Sequence, residues 1–186
     1  MGNGMKPAEI RFVPLAAKTI VVHTVTYFIM GLLASTLLNY ASWYAGPALS
    51  GFMRQLDDPL VMAGALFQPL RGLLFAVVFY LLREPLFGRA NGWLIMWVML
   101  VFVGILSTFG PAPGSIEGMV YTVLPFWDHF KGWPEVMGQA LLFSLILTYW
   151  VTHPQTRWLT WLLVIAFIIA LLLPLLGLLV TQGLPA

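Results

Sequence analysis

The chain of 186 residues contains no cysteine, which excludes disulfides, thiolate metal sites, dithiol redox chemistry and thiol nucleophiles. Charge is almost as scarce. Asp, Glu, Lys and Arg make up 9% of the residues against 60% hydrophobic ones, too little polar surface to cover a water-soluble globule. The formal net charge of +2 comes from basic residues scattered at segment ends, which argues against a nucleic-acid partner. Catalytic signatures are missing as well. There is no G-x-S-x-G, no H-E-x-x-H, no phosphate-binding P-loop and no G-x-G-x-x-G, and the three histidines are far apart in sequence, so the motifs give no support to an enzyme or to a cofactor. No internal repeat is visible, and an odd number of crossings counts against an inverted-repeat transporter unless the chain dimerises.

What the chain has is long apolar runs, and a mean hydropathy of +0.90. They predict an all-α integral membrane protein, one membrane domain over 1–186 with about five transmembrane helices at 14–40, 59–83, 93–109, 134–151 and 158–180. Lys6, Arg11 and Lys18 precede the first run as in a signal peptide, but His23, Thr24, Thr26 and Tyr27 interrupt the apolar core that such a peptide needs. Between the crossings, 49–57 has Leu49, Phe52, Met53 and Leu56 at helical spacing, which predicts an interfacial helix. Asp58 followed by Pro59 reads as a helix start. The breaker cluster 110–118 and the short apolar run after it have two readings. Segment 115–126 is either a re-entrant dip that brings Glu117 beside the bundle interior, or a short surface helix capped by Ser115. Asp128, His129 and Lys131 are expected in water beside Trp127 and Trp133.

The most informative stretch is Phe67 to Gly72. Arg71 lies twelve residues from either end of the second run, near the bilayer midplane. A charge there costs at least about 2.5 to 3.5 kcal/mol, and its side chain turns to a partner, a cavity or a substrate path. Gln68 shares its helix face, being three residues earlier. Pro69 has no N–H, so it is expected to free the carbonyl of Ala65 as an acceptor within reach of the arginine. No carboxylate is expected inside an uninterrupted crossing, which makes Glu117 the foreseen partner of Arg71.

Other polar residues inside the runs are fewer. His23, Thr26 and Tyr27 form a stripe on the first helix, and the plain reading of His23 is a neutral imidazole bonded to a neighbouring helix. Gly31 and Ser35, four apart, suggest close approach of a second helix. Glu135 reads as a helix-start carboxylate with Gln139 one turn on. The last run is apolar on nearly every face, as for a helix against lipid or a partner subunit, and Pro174 is expected to kink it.

The charge pattern puts Lys6, Arg11, Lys18, Arg83, Arg89 and Arg157 on one side and Arg54 and Lys131 on the other, so the amino terminus is expected in the cytoplasm and the carboxyl terminus outside a cytoplasmic membrane. Three functions fit. The first is a polar intramembrane site formed by Gln68, Arg71 and Glu117, with His23, Glu135 and Gln139 as further candidates, that binds or conducts a small solute, an ion or an anionic lipid. A second is a non-catalytic subunit that assembles with a membrane partner or a second copy, with Arg71 and Glu117 as a register-fixing ion pair. A third is an enzyme on a lipid-linked substrate, using Glu117 or Glu135 as acid or base.

Overall fold

Several helices in this chain end at glycine, proline or asparagine, residues that relieve or block the helical backbone. The computed structural model describes residues 9–181, and among them every regular element is helical; Lys6 lies outside that range. The first long helix, α1 (Phe12–Leu37), ends before Asn39, which takes the left-handed conformation at φ 49° and turns the chain into α2 (Tyr40–Ala45). Gly46-Pro47 stops α2. The expected interfacial helix at 49–57 is absent: this stretch is a series of turns, such as those closed by Leu49 N–H on Gly46 and Phe52 N–H on Leu49. Its apolar spacing was helical, but Pro47 and Gly51 within so short a segment leave too few good helix formers.

The start at Asp58 is as expected. Its carboxylate accepts the Leu60 N–H at 2.8 Å and pairs with Arg54, and the Arg54 hydrogen bond foremost holds its pKa below the usual carboxylate range. The run expected as one helix over 59–83 is broken into α3 (Pro59–Met62), a tight 3-10 turn at Gly64–Phe67, and α4 (Gln68–Leu81). Pro69 therefore sits in the first turn of α4, where a missing N–H costs nothing. The Ala65 carbonyl is not free, since it accepts the Gln68 N–H. Next come α5 (Arg83–Phe87) and α6 (Gly92–Val101), and α6 runs into a π-helical turn at Phe102–Leu106. In place of the crossing foreseen at 93–109, Gly92–Leu106 is a shorter apolar helix.

A capped helix, α7 (Ile116–Tyr121), follows, with the Gly118 N–H on Ser115 Oγ at 2.9 Å. Then α8 (Asp128–Lys131) leads to α9 (Trp133–Thr152), and α10 (Arg157–Thr181) continues through Pro174 without a break. Among the described residues, four segments are long and apolar enough to cross a membrane: Phe12–Leu37, Gly64–Leu81, Asp128–Thr152 and Arg157–Thr181. His129 is buried, 2% exposed, rather than in water. Its Nδ1 accepts the Gly114 N–H at 3.1 Å while Trp133 Nε1 donates to the Gly114 carbonyl at 3.1 Å. Gly114 has φ +88°, and a Cβ there would lie 2.8 Å from Trp133 Nε1, so conformation and space both require glycine.

The central helix is α1, which packs against α4, α9 and α10, while α6 packs on α9 and α5. The closest approach is not at Gly31 and Ser35. It falls at Gly72, where an added Cβ would be 2.7 Å from Ile20 Cα; Gly31 instead faces Glu135. The packed core of Leu15, Val22, Phe79, Leu86, Met96, Phe143, Leu147, Trp150 and Leu163 belongs to the end of the bundle where α1 begins. A cavity of about 210 Å³ lies beside the start of α1, and two larger ones lie toward the end where α1 finishes.

Gly72→Ala tests the α1–α4 contact. Backbone cannot yield as a flexible side chain does, so the substitution is expected to cost about 1 to 3 kcal/mol and to lower the thermal midpoint in detergent, whereas Gly51→Ala, with nothing within 4 Å, leaves it unchanged. Equal midpoints for the two variants would remove Gly72 as the point of closest packing.

Candidate functional site

Where α4 starts, its first residue reaches across to α1. Gln68 is 8% exposed and His23 2% exposed, and His23 Nε2 lies 3.1 Å from Gln68 Oε1. Gln68 Nε2 donates to the Gly64 carbonyl at 3.0 Å. That second bond orients the amide, so the oxygen faces histidine and Nε2 of the ring must bear the proton. His23 is thus bonded to a neighbouring helix through Nε2. Its Nδ1 is buried and has no hydrogen-bond partner. Thr26 takes no part, because its hydroxyl turns back to the Val22 carbonyl on its own helix.

His23 is walled by Phe75 and Phe143, with ring centroids 5.0 and 5.2 Å away. These rings separate the packed end from a cavity of about 370 Å³ lined by His23, Tyr27, Arg71, Phe75, Gln139 and Glu135 among others. Arg71 holds its guanidinium 5.6 Å from the Phe75 ring centre. Among the described residues it forms no ion pair; the two pairs present are Arg54–Asp58 and Lys131–Asp128. The cavity opens between α4 and the π-helical turn after α6, where Arg71, Leu74 and Gly104 are exposed. Local π-helix occurs often at ligand sites because the widened turn displaces side chains from the helix surface. An added Cβ at Gly104 would meet nothing within 4 Å.

Of the six residues singled out by sequence, Arg71, His23, Glu135 and Gln139 line this one cavity, and Gln68 supports it through His23. Glu117 lies on α7 and lines neither this cavity nor the neighbouring one. The foreseen Arg71–Glu117 pair is therefore absent, because Ser115 caps α7 and the Gly114 clip fixes the loop against α8 and α9. The carboxylate that shares the cavity with Arg71 is Glu135, which belongs to the apolar span Asp128–Thr152. Glu135 is in the first turn of α9, the helix-start position expected for it.

Glu135 is held by a residue that the sequence did not single out. The Tyr40 hydroxyl donates to Glu135 Oε2, leaving Oε1 without a hydrogen bond. Burial foremost, then the bond to Glu135, raises the Tyr40 pKa, and burial followed by the Glu135 charge pushes Tyr44 up to about 12. Both phenols are therefore neutral donors at physiological pH. Tyr40 and Tyr44 are one helical turn apart, the spacing that puts two side chains on one face. Tyr27 and Glu135 line the first cavity and also a second one of about 380 Å³.

Comparison with known proteins gives no match to any family model, curated protein or solved structure, so function is read from the chemistry of the cavity. That chemistry is a set of polar groups with bonding capacity left over, the Arg71 guanidinium, His23 Nδ1, Glu135 Oε1 and the Gln139 amide, in a cleft with apolar walls.

The His23–Gln68 bond is checked by a double-substitution cycle. Gln68→Leu strands a buried imidazole N–H and is expected to cost about 1 to 3 kcal/mol, while Gln68→Leu combined with His23→Leu recovers most of that loss. Strictly additive losses in detergent unfolding would mean that the two side chains do not act as a pair.

Proposed function

We propose that this protein is an integral membrane protein of five crossings that binds an anionic amphiphile in the cleft at Arg71, the ligand entering sideways from the bilayer. The observation behind the reading is an arginine part-way along a membrane-length helix, exposed in a cleft and without an ion-pair partner among the described residues. Arginine at that depth is expensive unless an anion meets it, and its planar fork suits a carboxylate or phosphate bidentately. The apolar walls suit an acyl chain or a flat ring. Direct access from lipid is supported by exposed Leu74 and Gly104 beside Arg71.

In this reading Gly92–Leu106 is the fifth crossing. Its 15 residues give about 22 Å at 1.5 Å each, short of the ~30 Å hydrocarbon core, and local thinning or the following residues make up the difference. Helix α7 then lies at the surface rather than dipping inward, with Ile116, Val120 and Tyr121 exposed toward the interface. Arg11, Arg83, Arg89 and Arg157 favour a cytoplasmic amino terminus and an outer carboxyl terminus in the cytoplasmic membrane. A second reading, a subunit that docks on a partner, draws on α10, where only 11% of the apolar window is buried.

Oleate and its neutral analogue oleyl alcohol separate the two readings when titrated into purified protein. The wild type is expected to prefer oleate, and Arg71→Gln to weaken oleate binding about tenfold or more with no change in monodispersity or in oleyl alcohol binding. An unchanged oleate affinity in the variant rejects the anion site, and loss of the folded state in Arg71→Gln favours the subunit reading.

A further inference from the structure

The second cavity differs from the first in charge: the first has Arg71 beside Glu135, the second has Glu135 without it. Tyr27, Phe28, Tyr40 and Tyr44 supply its aromatic wall, and Glu135 is the one charged residue among those lining it. Arg71 and His23 line only the first cavity. Gly64 makes room for the Tyr27 hydroxyl, which would be 3.1 Å from a Cβ added there.

We propose that this second cavity binds an organic monocation of the alkylammonium class, its charge set against Glu135 Oε1 and its methyl groups against the tyrosine and phenylalanine rings. A carboxylate alone would serve a metal ion equally well. What selects an ammonium is the rest of the wall, since aromatic faces present negative potential to a diffuse cation but offer no set of oxygens to replace the hydration shell of sodium or calcium. The oxygen inventory is short: Glu135 is already shared with Tyr40, and Tyr27 and Tyr44 are neutral phenols whose edges, like that of Ser35, give single contacts. A volume of about 380 Å³ falls in the range of small-ligand sites. The aromatic cluster already attracts such a group from its far side, where the Lys131 ammonium stands 5.4 Å from the Trp43 ring centre and Trp43 packs on Tyr40 and Tyr44 at 5.4 and 5.8 Å.

The two cavities share Tyr27 and Glu135, while Arg71 and Gln139 line only the first, so ligands of opposite charge and the Arg71 variant separate the two readings. Isothermal titration of the purified full chain with choline, and with its neutral isostere 3,3-dimethyl-1-butanol, tests it. Choline is expected to bind saturably and the alcohol at least about tenfold more weakly. Glu135→Gln should abolish choline binding, Tyr44→Leu weaken it about fivefold, and Tyr44→Phe, which keeps the aromatic face, retain it. Arg71→Gln should lose oleate but keep choline. Equal binding of choline and the alcohol, no saturable choline binding, displacement of choline by equimolar sodium, or equal losses in Tyr44→Leu and Tyr44→Phe would each overturn the proposal. The Tyr44 pair keeps it open to refutation even if Glu135→Gln fails to fold.

Discussion

Contact between the backbones of α1 and α4 at Ile20 and Gly72 is the constraint on which the rest of the bundle depends. Only with no side chain at residue 72 can α4 lie against α1 closely enough for Gln68, one turn earlier, to reach His23. The same approach leaves α1 enclosed by α4, α9 and α10, so that Thr19, His23, Thr24 and Thr26 are buried although they are polar. Three of these find acceptors or partners on α1 or α4. Thr24 Oγ1 and His23 Nδ1 do not. A buried polar group left unpaired costs more than a typical hydrogen bond gains, so the polar layer is sustained by packing around it rather than by its own bonds.

The two larger cavities lie away from the apolar core cluster for a reason visible in residue size. Phe79, Phe143, Leu147, Trp150 and Met96 converge where α1 begins, and each fills the gap left by its neighbours. At the opposite end Gly31, Gly64, Ala65 and Gly104 stand where bulky groups would otherwise close the interior. Small residues in membrane helices are usually read as sites of helix contact. Here Gly72 is one, but Gly64 makes room for the Tyr27 hydroxyl instead.

The helical class and the approximate extent of the first, fourth and fifth long segments were legible in the sequence, because hydropathy and capping are local properties. So were the cap at Asp58 and that at Ser115. The break at Gly64–Phe67 was harder, since Gly64 lies in an apolar run and Pro69 was read as a mid-helix disruption rather than as a first-turn residue. Partner choice was not legible at all. Glu135, 64 positions beyond Arg71, is brought to the same cavity by the packing of α9 and α4 on α1, and no spacing rule spans that separation. His129 looked solvated from its charged neighbours, yet it is buried through a bond to the Gly114 backbone.

That bond and its companion have a consequence for how the protein can change over time. The loop 110–118 is fastened through the amide and carbonyl of a single glycine, and backbone groups are indifferent to which side chains flank them. Pro111, Pro113, Ile116 and Glu117 are thus released from any duty of anchoring, while Gly114, His129 and Trp133 are not. Mutational drift can remodel the exposed surface of this loop and of α7 with the cavity wall on α9 left where it is.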